Sequence, residues 1–391
     1  MKWPFAKFSE VALPGKGAIV SGPFGSNIGS RFFVDEGVPV IRGNNLTFGE
    51  RRFIDDGFVY LTEEKAREFK NCLAVAGDLV FTAAGTIGQV GIIPTDSRFD
   101  RYVISNKQLR VRCDQTKVRP LFLFLWFTTE YMRRYLINQN TGCSIPLINL
   151  GTLRNLPVPL PSLEVQERVA STITAYDDLI ENNRRRMALL EEAARQVYRE
   201  WFVRLRFPGH EHTPVINGVP DGWERKNVGQ MLTLKRGYDL PESQRVEGDI
   251  PIVSSSGITG FHDEKKAVAP GIVTGRYGTI GEVFFIQGDY WPLNTALYVC
   301  DFKGNPPAFL AHFLKYALQG ILSDKAAVPG VNRNVLHHLP VLSPPKLLID
   351  QFAEFAHLTY QQIHTLECTN QKLRTARDLL LPRLMTGEIA V

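Results

Sequence analysis

The chain says the same thing twice, and this internal repeat constrains its fold more than any other feature. Gly85-Thr86-Ile87-Gly88 follows a short apolar run, Gly77-Asp78-Leu79-Val80-Phe81, and Gly278-Thr279-Ile280-Gly281 follows another, Gly271-Ile272-Val273. Ile145-Pro146-Leu147-Ile148-Asn149 leads through Leu153 to Leu156-Pro157-Val158. Val328-Pro329-Gly330-Val331-Asn332 leads through Leu336 to Leu339-Pro340-Val341 with the same internal spacing. Each copy then enters a long stretch of helical pattern. The expectation is two globular modules of one framework, each followed by a helix: a two-headed molecule suited to reading something with two parts.

Length and composition set outer bounds. A chain of 391 residues has room for two to three domains. Its apolar fraction of 44% and charged fraction of 22% are those of an ordinary globular protein. The longest apolar run, Leu121 to Phe127, is far short of the roughly 18 residues of a membrane span, so no membrane association is expected. Met1-Lys2-Trp3-Pro4-Phe5 carries no signal-peptide apolar region. Cys72, Cys113, Cys143, Cys300 and Cys368 are odd in number with no close pairs, which argues against a disulfide framework or a zinc site and favours a reducing, cytoplasmic setting. Net charge is +5, with basic clusters at Arg51-Arg52, Arg184-Arg185-Arg186 and Lys265-Lys266. Each cluster reads either as a solvated face or as a contact to a phosphate backbone or an acidic partner.

Along the chain, residues 1–158 form the first module, rich in short β-type runs broken by Gly, Pro and Asn, with a helical pattern from Leu121 to Leu136. Leu156-Pro157-Val158-Pro159-Leu160-Pro161 reads as an extended connector, because its prolines forbid helix. Ser162 is a candidate N-cap for a long helix within residues 159–207. Two series there step by seven: Ile173, Ile180, Met187, Ala194, Trp201, and Val169, Tyr176, Asn183, Leu190, Val197. They interleave at three and four residues, the coiled-coil seam pattern. Residues 208–219 read as a linker and residues 220–341 as the second module, in which Ala308 to Leu322 is helical. The distal helix lies within residues 342–391, with a seam of Phe352, Thr359, Leu366, Leu373, Leu380 and Ile349, Ala356, Ile363, Asn370; Pro382 and Gly387 are expected to end it. Each seam carries one Asn, Asn183 and Asn370. These are either incidental polar positions or a mutual hydrogen bond fixing register. The fold class is α+β: two mixed α/β modules joined by two long helices. A pseudo-twofold repeat would make the helices antiparallel and put the modules at opposite ends of a rod.

No assembled catalytic constellation is visible. Asn305-Pro306-Pro307-Ala308 nearly spells an amino-methyltransferase tetrapeptide, but an aromatic fourth residue and a glycine-rich cofactor loop are missing, and a Pro-Pro turn opening a helix accounts for it. Asp221 with Glu224-Arg225-Lys226 is too tightly spaced for a nuclease site. His210-x-His212 lacks a third ligand, so no metal site is expected. No phosphate loop or nucleophile elbow appears.

Binding signals are stronger. Arg42-Gly43-Asn44-Asn45 follows a strand; Arg and Asn make bidentate contacts to guanine and adenine edges, although an Asn-rich turn has the same letters. Ser254-Ser255-Ser256-Gly257 occupies the equivalent place in the second module. Thr86 and Thr279 sit on the Gly-Thr-Ile-Gly turns, which let backbone approach either another strand or a phosphate. Arg276-Tyr277 contrasts with Ala83-Ala84, and Asn106-Lys107-Gln108 with Asn294-Thr295-Ala296: the framework repeats while the candidate reading residues differ.

At this point the chain resembles the specificity (S) subunits of type I restriction–modification systems. The resemblance rests on Leu156 to Arg168, Asn182-Asn183-Arg184-Arg185-Arg186 through Arg195, Arg199-Glu200-Trp201-Phe202 to Gly209, Ser21-Gly22-Pro23-Phe24-Gly25-Ser26, the entry Pro220-Asp221-Gly222-Trp223-Glu224, and the ending Leu379 to Gly387. Pro344-Pro345-Lys346-Leu347-Leu348-Ile349-Asp350-Gln351 departs by one residue from the Pro161–Gln166 spacing. The resemblance implies that each module is a target recognition domain reading one half of a split double-stranded DNA sequence. It implies that the helices act as a spacer, that two methylation (M) subunits dock on the helical region, and that restriction (R) subunits join the complex. The chain itself would bind no cofactor; S-adenosylmethionine, ATP and Mg would sit on the partners. A rival reading is a structural coiled-coil adaptor whose modules bind protein. A self-contained methyltransferase would need a cofactor pocket that the sequence does not show.

Overall fold

The computed structural model describes residues 3–49, 51–139, 146–276, 281–323 and 330–390. It divides into two units, Met1–Ile180 with Gln371–Val391, and Glu181–Asn370.

In the first unit, short apolar runs make two small sheets. One has the order β2 (Ile19–Ser21), β9 (Gln108–Val111), β6 (Leu79–Thr82), β7 (Val90–Ile92), and all its pairings are antiparallel. The other has the order β4 (Val59–Leu61), β3 (Val38–Ile41), β8 (Tyr102–Ile104), β5 (Leu73–Ala74), with β3 and β8 parallel at Val40↔Val103 and Ile41↔Ile104. Strands β3, β6, β8 and β9 are buried along their whole length, so side chains on both faces are covered. Helix α1 (Glu63–Glu68) covers part of the second sheet's core through Ala66. Helix α2 (Pro120–Thr128) opens on proline, the residue that costs least at a first helical position, and buries Phe122 to Phe127 in the core with Phe8 and Phe81. Thr129 ends α2 and caps α3 (Glu130–Asn138) by accepting from Met132 N at 3.3 Å.

The proline-rich stretch expected as a connector is a strand. β10 (Pro157–Pro159) pairs with β1 (Phe5–Lys7), Phe5 against Pro159 and Lys7 against Pro157. A two-stranded ribbon needs few amide donors, so prolines are tolerated there. The module boundary expected at residue 158 therefore bisects a strand. Just beyond it, α4 (Leu150–Arg154) having preceded β10, the first long helix α5 (Leu163–Tyr198) starts at Ser162, whose Oγ accepts from Val165 N at 3.4 Å. Gln166, fully buried, fixes this start: its Oε1 accepts from Arg119 N at 2.8 Å, and its Nε2 donates to Pro161 O at 2.9 Å.

The second unit has the same plan. After β13 (Glu224–Asn227) and the short α6 (Val228–Met231), one sheet has the order β14 (Thr233–Arg236), β20 (Ala296–Asp301), β17 (Gly271–Gly275), β18 (Val283–Ile286). The other has the order β16 (Gly257–His262), β15 (Ile250–Ser254), β19 (Trp291–Pro292), with β15 and β19 parallel. β13 pairs with β21 (Pro340–Ser343) as β1 pairs with β10. Helix α7 (Pro307–Ser323) packs on β17 and β18 and is followed by α8 (Arg333–His337) and the second long helix α9 (Lys346–Thr386). The segment expected as a linker is ordered. β11 (Val215–Ile216) and β12 (Val219–Pro220) form a hairpin turning at Asn217-Gly218, whose φ angles of 51° and 72° suit the two-residue hairpin turn that Asn-Gly favours. Phe207, Trp223 and Leu348 cluster beside it.

The long helices behave as the seven-residue steps require. On α5 and its terminal π turn, Val169, Ile173, Ile180, Asn183 and Ala194 are buried, and Tyr176, Met187, Leu190, Val197 and Trp201 are half-buried. On α9, Ile349, Phe352, Ala356, Thr359, Ile363 and Asn370 are buried, and Leu366, Leu373 and Leu380 are half-buried. Within the first unit Val169, Ala170 and Ile173 share a core with Leu381, Leu384 and Met385, and Arg377 Nη1 meets Asp177 Oδ1 at 2.8 Å, so the helices run antiparallel. Within the second unit Tyr198 meets Phe352 (ring centroids 5.4 Å apart) while Asn183 meets Asn370, the same antiparallel sense. Pro382 does not end α9; the helix runs on to Thr386, because Leu381, Leu384 and Met385 anchor its last turn in the core, and it stops at Gly387 with φ 70°.

Asn183 Nδ2 donates to Asn370 Oδ1 at 2.9 Å, with both residues buried. Asn183→Leu alone strands a buried amide and is expected to cost about 1–3 kcal/mol. The double variant Asn183→Leu/Asn370→Leu should recover most of that loss in urea unfolding. A double variant as unstable as the sum of the two singles would show that the amides act independently.

Candidate nucleic-acid interface

In each module several strand ends are lashed together by the same backbone bonds. In the first, Ser105 N donates to Ile41 O (3.0 Å), Ala83 N to Lys107 O (2.7 Å), Ile148 N to Ala83 O (2.9 Å) and Gly22 N to Gln108 O (3.0 Å). In the second, Leu293 N donates to Val253 O (2.8 Å), Arg276 N to Thr295 O (3.1 Å), Val331 N to Arg276 O (2.9 Å) and Gly237 N to Ala296 O (3.1 Å). The repeated motifs, far apart in sequence, are thus neighbours: Gly85 N also donates to Pro146 O at 3.0 Å. These bonds make Arg42 equivalent to Ser254, Asn44 to Ser256, Ala83 to Arg276 and Lys107 to Thr295. Close approach makes glycine necessary at one shared point. A Cβ on Gly22 would lie 1.9 Å from Ser105 O, and one on Gly237 would lie 2.2 Å from Leu293 O.

Several expected reading residues are spent on building the loops. Asn45 is fully buried; its Oδ1 accepts from Arg42 N (2.9 Å) and its Nδ2 donates to Ile54 O (3.0 Å) and Asp56 O (2.9 Å). Gln108 is buried in β9. With its amide nitrogen toward Ser105 Oγ it donates to Ile41 O (3.3 Å), and its oxygen accepts from Gly43 N (3.2 Å). Arg52 Nη2 donates to Thr174 Oγ1 (2.9 Å), bracing the module on α5. Ser254 is buried, accepting from Ser256 N (3.2 Å) and donating to Gly257 O (3.2 Å). In Asn45, Gln108 and Ser254 the polar groups that could meet a base edge are taken up within the module, whereas Arg52 spends one Nη on Thr174.

Several of the others are presented outward. Asn44, Arg51, Thr86 and Lys107 are exposed in the first module. Asn44 Nδ2 and Arg42 Nη2 both reach Gly57 O, at 3.3 and 3.4 Å. Arg42 is half-buried, and its Nε is buried without a hydrogen-bond partner among the described residues. In the second module Ser256 is exposed, and Ser255, Arg276 and Asn294 are half-buried, with Asn294 Nδ2 bonded to Asp239 Oδ1. Tyr277 and Thr279 lie outside the described residues. Two cations that the sequence reading missed, Arg236 and Arg333, line an open cavity of about 640 Å³ with Arg276. The signal for Arg236 was its place before Gly237, as Ser21 stands before Gly22.

Among the described residues no three His, Cys, Asp or Glu are grouped to hold a metal, and no helix is long and apolar enough to cross a membrane. Asn305 Nδ2 donates to Met231 O (3.0 Å) and Pro307 opens α7, so this tetrapeptide serves a turn.

The type I restriction modification DNA specificity domain matches the chain twice, over residues 32–192 and 220–377. The chain belongs to the type I restriction–modification specificity subunits. In this specificity subunit each match runs from a module into the following long helix. It is 32% identical to the HindI specificity subunit of Haemophilus influenzae, over 75% of this chain and 83% of that one. It is 22% identical to the MjaIX specificity subunit of Methanocaldococcus jannaschii, over 90% of this chain and 87% of that one. The crystal structure of a type I S subunit from M. genitalium shares its fold, with a TM-score of 0.59 at 14% identity, covering 98% of this chain and 96% of that chain.

Proposed function

We propose that this chain is the DNA-reading subunit of a type I restriction–modification enzyme, each module recognising one half of a bipartite duplex target. The observation that carries this is one hydrogen-bonded frame bearing different exposed side chains at equivalent points, Asn44 against Ser256 and Lys107 against Thr295, with Arg42 standing where the second module buries Ser254. A shared scaffold with divergent outward residues suits two readers of different sequences; base edges specify while phosphates position. The long helices scaffold two methylation subunits and the restriction subunits. Those partners carry the chemistry: S-adenosylmethionine for adenine methylation, and ATP and Mg for translocation and cleavage. The chain works in the cytoplasm, in keeping with its unpaired Cys72, Cys113, Cys300 and Cys368.

Mapping methylated adenines in a genome expressing the chain with its methylation partner tests this. A split motif is expected; an unsplit motif, or methylation without sequence preference, overturns it. Within the first module, Asn44→Ala and Arg42→Ala should each cost about 1–3 kcal/mol of discrimination at a single base pair. Equal weakening on every sequence would reassign the residue to phosphate binding.

A further inference from the structure

We infer that the second module holds a three-arginine cleft that grips the phosphodiester backbone of the duplex, a site with no counterpart in the first module. This rests on the DNA-reading role proposed above. Arg236 ends β14, Arg276 follows β17 and Arg333 opens α8; with Asn332, Asn334 and Leu297 they line one open cavity of about 640 Å³. Three separate pieces of chain deliver the guanidiniums to one place, through the backbone bonds that fix the candidate reading loops. Arg276 donates its N–H to Thr295 O and accepts from Val331 N, and Arg236 precedes Gly237, which donates to Ala296 O.

The first module shows what the frame carries without these cations. The same backbone bonds and the same N-cap position (Asn149 for α4, Asn332 for α8) place Ser21, Ala83 and Leu150 where the second module has Arg236, Arg276 and Arg333. The frame therefore does not need arginine at any of the three points. For Arg236 and Arg333 local pairing is slight: Arg236 Nε donates to Asn294 O at 3.4 Å, its Nη2 lies 3.7 Å from the exposed Asp239, and Arg333 is exposed with no ion pair among the described residues. Guanidinium forks match phosphate oxygens, and three of them in one concavity favour an anion over a neutral base edge. The asymmetry is chemically coherent. The first module offers Arg42 and Asn44, with side chains that read purine edges, where the second offers small serines; the second supplies its cations deeper, at the strand ends.

The test uses the full chain with its methylation partner, duplexes carrying the mapped motif, and the variants Arg236→Gln, Arg276→Gln and Arg333→Gln. Each should make the plot of log affinity against log salt shallower by about 0.9, the value for one phosphate contact. Affinity should fall equally on cognate and half-site-mutated duplexes, and the methylated motif should stay the same. Arg333→Gln, at an exposed position, keeps the test free of folding defects. An unchanged slope and affinity would put the cleft off the DNA. An unchanged slope with relaxed preference at one base pair would make these residues base readers. In both cases the unaltered complex still discriminates its motif, so the DNA-reading role survives; a complex that never discriminates fails that role itself.

Discussion

Exchanging residues 1–161 for the corresponding segment of another specificity subunit should replace one half-site of the methylated motif completely and leave the other unchanged. Specific sites are bound about 10³–10⁷ times more tightly than non-specific DNA, so the old half-site should vanish from the methylation map rather than fade. The structure dictates where to cut. A junction at residue 158 would split β10, whose Val158 is fully buried, whose Pro157 O accepts from Trp126 Nε1 at 2.9 Å, and whose residues pair with Phe5–Lys7. Cutting after Pro161 keeps that ribbon within one parent. It still asks the incoming module to accept Val169, Ala170 and Ile173 of α5 and Leu381, Leu384 and Met385 of α9, which complete its core. The donor's residues at the Gln166 contacts, the backbone of Lys117 and Arg119, must also be spaced alike. If both half-sites changed together, the two-reader model would be wrong.

What was legible beforehand follows from how local each feature is. The repeat was legible because residues that hold the frame, such as the N-caps Asn149 and Asn332, are fixed by backbone geometry and so stay recognisable. The helical seam was legible because a seven-residue step is a local property, and the Asn183–Asn370 bond decides between the incidental and the paired reading that the seam pattern left open. The roles of Asn45, Gln108, Arg52 and Ser254 were hidden. Whether an amide or guanidinium faces water or a backbone carbonyl depends on chain arriving from elsewhere, Ile54 and Asp56 for Asn45, Thr174 for Arg52. Pro382 misled because the cost of a proline in a helix is local, whereas the burial that outweighs it comes from the first unit's core. The hairpin at Asn217-Gly218 did carry its own signal; the flanking His and Pro residues obscured it. For the cleft, Arg276 was already a candidate and Arg236 precedes the frame glycine Gly237, but their meeting with Arg333 had no signal, since only folding brings those three strand and helix ends together.

Acidification should loosen the attachment of the second module to its long helices, and His312 should account for much of the effect. His312, on α7, stacks on Tyr198 of α5 (5.9 Å, 20°) and meets the edge of Phe352 of α9 at 5.3 Å; its Nε2 lies 3.2 Å from Tyr360 Oη. Burial among these rings, with Lys315 nearby, pushes its pKa from 6.5 down to about 4. Arg195 and Arg199 line the same recess, so the ring's surroundings oppose a further positive charge. The unfolded chain takes up a proton near pH 6.5, while the folded one resists until about pH 4. Unfolding therefore gains protons in that window, and the stability contributed by neutral His312 is full above it and lost as pH falls through it. The slope is about 1.4 kcal/mol per pH unit, roughly 3 kcal/mol across the window. His337, also held low by burial, pulls in the same direction, so the comparison must be between variants rather than between pH values alone. His312→Gln keeps a polar partner for Tyr360 but cannot titrate. Its urea midpoint should fall less than that of the unaltered chain between pH 7 and pH 4.5. Identical pH profiles for the two proteins would mean that His312 takes up its proton as readily in the folded state as in the unfolded one, so that its ring environment does not exclude the charge.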